Sequence, residues 1–238
     1  MMKKLLLSVA LSLSILGCAP TGELAKPTGE VPQLSASDYN TQGRSYSAQK
    51  NYDAAIEAYK KALQVNPKYH YAYNNLGNAY RNKGLYEDAM VAYQRGLEIN
   101  PGYYLAHANL GRLYRLQGKY EDSIAELERA IQLNPSQAYT HNELGITLKT
   151  IGKMEEAIEA YKRAITVNPN YKWAYGNLGG LYKQIGRLED AISALKKALE
   201  IDPNYIWAHE RLASIYQLQG KTDKANEHFR IIQERGKR

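Results

Sequence analysis

From residue 36 onward the apolar positions fall at helical spacing, in two blocks that recur along the chain. Over residues 70–103, Tyr73, Leu76, Gly77 and Tyr80 share one face of a first helix, and Met90, Tyr93, Leu97 and Ile99 share the face of a second. Gly84 stops the first helix, because glycine accepts the left-handed conformation of a helix C-terminus. Glu87 and Asp88 open the second, where acids meet the positive end of the helix dipole. Asn100-Pro101 ends it, since proline lacks an amide donor and disfavours helix in the residue before it. The pattern predicts a helix–turn–helix unit with no strands.

The unit recurs every 34 residues in three independent registers. Pro67, Pro101, Pro135, Pro169 and Pro203 form one. Gly43, Gly77, Gly111, Gly145 and Gly179 form a second, completed by Ala213, and Gly84, Gly118, Gly152, Gly186 and Gly220 form the third. Residues 36–238 divide accordingly into six units: 36–69, 70–103, 104–137, 138–171, 172–205 and 206–238. A single unit cannot bury its apolar face alone, so stacked neighbours must supply the core. Small residues at the Gly and Ala positions let helices approach to about 8–10 Å.

In its period, and in its order of small, aromatic and proline positions, the array resembles the tetratricopeptide repeat (TPR) family. The family's Leu-Gly pair is matched by Leu76-Gly77, Leu110-Gly111, Leu144-Gly145 and Leu178-Gly179. Its following tyrosine is matched by Tyr80, Tyr114, Tyr182 and Tyr216, with Leu148 departing. Its second-helix alanine is matched by Ala55, Ala89, Ala157, Ala191 and Ala225, with Ser123 substituting. The resemblance implies an all-α fold, a right-handed superhelical solenoid of antiparallel helix pairs. It also implies a protein-binding role, and a concave groove lined by particular columns of each first helix.

Those columns can be read directly. The second position of each unit holds Tyr71, Leu105, Tyr139, Trp173 and Trp207; the sixth holds Asn75, Asn109, Glu143, Asn177 and Arg211. The twelfth holds Arg81, Arg115, Lys149 and Lys183, with Arg44 and Arg112 at the ninth. Aromatic faces supply contact area at small entropic cost, amides can bond an extended backbone, and cations attract carboxylates. The expected peptide-binding set is Tyr71, Asn75, Arg81, Asn109, Arg112, Arg115, Tyr139, Lys149, Trp173, Asn177, Lys183 and Trp207, and the expected partner an extended, partly acidic polypeptide. The alternative is that the aromatics pack on the preceding helix and the basic column is a solvated face. The fifth column, Asn40, Asn74, Ala108, Asn142, Gly176 and Glu210, lacks the lysine of chaperone-tail carboxylate clamps.

Residues 1–35 differ in kind. Lys3 and Lys4 precede an apolar run from Leu5 to Leu16, too short to span a bilayer, which takes roughly 20 residues. Ile15-Leu16-Gly17-Cys18 resembles the lipobox of bacterial lipoproteins, with Leu16 bulkier than usual for its place. The resemblance implies that residues 1–17 are a signal peptide removed on export. Cys18 would then carry lipid through its sulfur and a further acyl chain, such as palmitate, at its new amino terminus. Several chains make a stable anchor where one does not. Ala19 in place of Asp points to the outer membrane, facing the periplasm, in a Gram-negative cell. An ordinary secretory peptide and an uncleaved anchor are the alternatives. Residues 18–35, with Pro-Thr-Gly-Glu twice, read as a flexible tether spanning roughly 20–25 Å.

Composition adds limits. Cys18 is the one cysteine, so no disulfide is expected in the mature chain. The net charge of +7 falls to +5 without Lys3 and Lys4, too mild a basicity to indicate nucleic acid. His107, His141 and His209 alternate with tyrosine at the fourth position, which reads as packing rather than metal ligation. Nothing in the sequence suggests a catalytic constellation, metal or cofactor, so the expectation is a non-enzyme. The role is expected to be a generic envelope scaffold or, as the alternative, a pilotin-like assembly factor for a type IV pilus secretin. A cell-wall glycan binder using Trp173 and Trp207 is a third reading. Finally, Ile231 and Ile232 stand where earlier units have a basic residue and then Ala or Gly, as in Arg163-Ala164. Either this edge docks a partner or a second copy, or the helix rotates and buries both.

Overall fold

The computed structural model describes residues 34–235. The signal segment 1–17, Cys18, the tether up to residue 33 and residues 236–238 lie outside the described residues. The described chain forms twelve helices in six antiparallel pairs and no strand. The first helices of the pairs are α1 (Ala36–Ala48), α3 (His70–Lys83), α5 (Tyr104–Leu116), α7 (Ala138–Thr150), α9 (Lys172–Gln184) and α11 (Ile206–Leu218). The second helices are α2 (Tyr52–Val65), α4 (Tyr86–Ile99), α6 (Tyr120–Leu133), α8 (Met154–Val167), α10 (Leu188–Ile201) and α12 (Thr222–Arg235).

Local chemistry sets these boundaries. Ser35 caps α1 in a reciprocal box: its Oγ accepts from the Asp38 amide at 3.1 Å, and its own amide donates to Asp38 at 2.9 Å. The turn inside each later pair is made by glycine with φ between 69° and 85°; in the first pair Lys50 takes that conformation. Each of the first five pairs also ends in a turn closed by a side chain. Asn66, Asn100, Asn134, Asn168 and Asp202 accept, through their side chains, the amide two residues on. That bond satisfies a donor just where proline stops the helix.

The core is built from a repeated knob. Tyr59, Tyr93 and Tyr161 are fully buried, each ring lying on the glycine of its own first helix. A Cβ at Gly43, Gly77 or Gly145 would stand 2.4–2.6 Å from the ring, so only glycine fits. In the third and fifth pairs Leu127 and Leu195 replace the ring and press on Gly111 and Gly179. Glycine is therefore required by a side chain of the partner helix, a more specific cause than close approach of two backbones.

Curvature follows from which helices touch. α1, α3, α5, α7, α9 and α11 each contact the next first helix, while the second helices do not contact one another. First helices therefore line the inside of the curve. No helix among the described residues is long and apolar enough to cross a membrane.

Candidate functional site: the concave face

Adjoining first helices are joined by amide pairs. Asn75 Nδ2 donates to Asn40 Oδ1 at 2.8 Å, Asn109 to Asn74 at 2.9 Å, and Asn177 to Asn142 at 2.8 Å. The sixth-column amides expected to meet a ligand thus spend one donor on the neighbouring helix. Their oxygens and second N–H groups remain for other partners, although Asn109 Oδ1 also takes a long bond from Arg81 at 3.5 Å. The amide pairing fails at two joints. Between the third and fourth pairs the partners are Ala108 and Glu143; between the fifth and sixth they are Gly176 and Arg211.

The first of these joints holds an internal ion cluster. Glu143 is 5 % exposed, and its carboxylate lies 3.0 Å from Arg115 Nη2 and 3.9 Å from Arg112 Nε. One carboxylate thus stands between two predicted cations, close to Arg115 and at longer range from Arg112, and the buried Nε of each arginine has no hydrogen-bond partner. Buried charge persists only when paired, so this cluster is structural as much as it is surface.

Two open clefts occupy the concave face. One, of about 520 Å³, is lined by Asn40, Arg44, Tyr71, Asn75, Tyr103 and Asn109 among others. The second, of about 380 Å³, is lined by Arg112, Tyr139, Glu143, Tyr171, Trp173 and Asn177 among others. Seven of the twelve predicted residues, Tyr71, Asn75, Asn109, Arg112, Tyr139, Trp173 and Asn177, fall in these two clefts. Tyr71 and Trp173 are 47 % and 49 % exposed, which leaves large apolar faces open to a ligand.

The remaining five behave differently. Arg81 and Arg115 bond to Asn109 and Glu143 on the next first helix. Trp207 lies on Gly176 and Gly180 of the preceding helix, where an added Cβ would come within 2.8–3.2 Å of the ring. It forms floor rather than an open aromatic face, and the Arg211 guanidinium covers it at 4.6 Å. Lys149 and Lys183 form no ion pair among the described residues, and Lys183 Nζ turns to Ser214 Oγ. Burial, and then the charge of Arg211, hold both lysines below the usual lysine range.

Other sequence features find places away from this face. His107 bonds Glu126 at 2.6 Å and the Pro101 carbonyl at 3.0 Å; His141 bonds the Pro135 carbonyl at 2.9 Å. His209 is buried, contacts His228 Nδ1 to Nδ1 at 2.8 Å and the Pro203 carbonyl at 3.1 Å. These are packing and tethering roles. Ile231 and Ile232 are half-buried. An apolar cleft of about 390 Å³ between α6 and α8, on the outer side, escaped the sequence reading. Leu148 lines it, at the register where other pairs carry tyrosine, and its shorter side chain leaves the space.

Comparison with known proteins fixes the family. Tetratricopeptide repeat models match residues 40–104, 92–125, 111–152, 137–204 and 186–236. The crystal structure of MamA is 30 % identical over 68 % of this chain and 95 % of that one, with a TM-score of 0.59. The chain belongs to the tetratricopeptide repeat family. Among other TPR structures, YrrB, described as a TPR protein with an unusual peptide-binding site, is 24 % identical over 73 % of this chain and 89 % of its own, with a TM-score of 0.54. PilW, described as a widely conserved type IV pilus biogenesis factor, is 20 % identical over 81 % of this chain and 90 % of its own, with a TM-score of 0.74. At these identities the last two share the TPR fold. No curated protein sequence matches significantly.

Proposed function

We propose that this protein is a non-catalytic scaffold of six TPR units, anchored in the bacterial cell envelope through lipid on Cys18, that binds an extended protein segment along its concave face. One observation carries the reading: two open clefts on that face, each presenting a half-exposed aromatic, Tyr71 or Trp173, beside asparagine amides. Such a surface offers apolar contact and sequence-independent backbone bonding together. YrrB's peptide-binding site supports the mode at the level of family.

A photo-crosslinking residue placed at Tyr71 or Trp173 should trap a protein from the native envelope, while one at Val91, exposed on α4, should not. Adducts at Val91 alone would overturn groove binding. For the anchor, Cys18→Ser should release the chain from the membrane fraction and remove palmitate labelling; unchanged partition would refute it. The pilotin-like role draws support from the likeness to PilW. Recovery of a secretin ring at Tyr71 adducts would establish it, and its absence would dismiss it. Glycan binding through paired tryptophans has less support, because Trp207 is committed to Gly176 and Gly180.

A further inference from the structure

The concave face repeats a second spacing between neighbouring first helices. The twelfth residue of a first helix meets the sixth residue of the next, 28 positions on. Arg81 meets Asn109 in this way, and Arg115 meets Glu143. Each of those cations finds an acceptor. The same spacing sets Lys149 against Asn177, to which it makes no hydrogen bond, and Lys183 against Arg211. At the last joint a cation therefore faces a cation.

The surroundings do not relieve it. Lys183 turns instead to Ser214 Oγ, and Ser214 itself donates to the Arg211 carbonyl at 3.2 Å, so all three sit within one turn of α11 and the adjacent strip of α9. The Arg211 guanidinium stands over the Trp207 ring at 4.6 Å, and Arg211 is exposed. None of Lys149, Lys183 and Arg211 is in an ion pair among the described residues, and both lysines are half-buried. Facing like charges destabilise a fold unless an anion comes between them.

We infer that the joint between the fifth and sixth pairs, bounded by Lys149, Lys183 and Arg211, seats an acidic stretch of the protein that the groove binds. The inference rests on the groove reading and sharpens it: at the Glu143 joint a carboxylate already stands among the cations, whereas none is paired with the three cations here, so acidic side chains are recognised at this end. The partner would lie with apolar and backbone contacts against Tyr71, Tyr139 and Trp173, and its Asp or Glu side chains would reach the three cations.

The test is calorimetric titration of the full chain, in mild detergent, with hexaglutamate. Wild type should bind, and binding should weaken as salt rises. The double variant Lys183→Gln/Arg211→Gln should bind about tenfold more weakly, as expected for losing two partly exposed charge contacts. Lys60→Gln, at an exposed cation of α2 away from the groove, should bind as wild type does. Because the double variant relieves repulsion, its melting temperature should hold or rise, which separates a binding role from a structural one. No binding by wild type, or equal loss in Lys60→Gln, would overturn the inference. So would tripolyphosphate or oligothymidylate binding more tightly than hexaglutamate, since that would mark a general or nucleic-acid anion site. Crosslinks at Tyr71 without hexaglutamate binding would leave the groove reading standing and remove this one. Hexaglutamate binding with crosslinks only at Val91 would remove the groove reading and, with it, the assignment of this cationic joint to the groove's partner.

Discussion

The middle of the array and its C-terminal end use the same registers with opposite charge. At the third joint the sixth-column residue is Glu143, and it gathers Arg112 and Arg115. At the fifth joint the corresponding residue is Arg211, set against Lys183. Inside the helix pairs the contrast recurs 19 residues on from the histidine: His107 meets Glu126, whereas His209 meets His228. The middle holds a carboxylate among its cations, and the cations of the end are paired with none. A repeat fold keeps backbone geometry constant, so single substitutions in one column can divide the surface between holding the fold together and recognising a partner.

The largest break in this comparison should come at Glu143. Glu143→Ala leaves Arg115 and Arg112 without their carboxylate and should cost about 3 kcal/mol in urea unfolding; a loss below about 1 kcal/mol would mean the cluster is only a surface pair. Next is packing at the same two places. Gly111→Leu should cost about 2 kcal/mol, because a Cβ there stands 2.8 Å from Leu127 Cγ and 3.0 Å from the Ser123 carbonyl oxygen, neither free to move. Gly180→Ala should cost about 1 kcal/mol, since it meets only the edge of the Trp207 ring.

Third, Arg211→Glu converts the end into a copy of the middle. It should stabilise the fold by about 0.5 kcal/mol through a new pair with Lys183, and abolish hexaglutamate binding. The smallest effect concerns pH. Burial and then His209 keep His228 below the usual histidine range, so its contribution is intact above about pH 6.5 and is lost as pH falls. His107 is held above that range: burial opposes its charge, but Glu126 and the Pro101 carbonyl outweigh it. Its contribution is present below about pH 6.5 and is lost as pH rises through its folded value. Between pH 7.5 and 5.5, His228→Gln should lessen the acid-side fall in melting temperature and His107→Gln should deepen it. Scanning calorimetry at both pH values checks each sign.

The fold was almost wholly legible because its information is periodic: the glycine, proline and apolar registers mark helix ends and faces without tertiary knowledge. The site was legible only by column. Which column faces inward follows from family resemblance, but what each side chain touches depends on the neighbouring unit. Asparagines at the fifth and sixth positions look alike in sequence, and only their 35-residue offset in space shows that one donates to the other. The two tryptophans teach the same point. Trp207 lies on Gly176 and Gly180, whereas the residues equivalent to those glycines beneath Trp173 are Asn142 and Ile146. One tryptophan has room to lie down and the other must stand open. That signal was present as two glycines four apart, but it gains meaning only when read against the next unit.

The most direct measurement is the titration of the Lys149 and Lys183 ammonium groups by NMR, with and without hexaglutamate. In the free protein both should titrate below the usual lysine range, because burial and Arg211 act on them with no carboxylate to compensate. On binding, both should rise towards it. Lysines that titrate normally in the free protein, or that do not move when hexaglutamate is added, would contradict the account of a middle with its own carboxylate and an open cationic end.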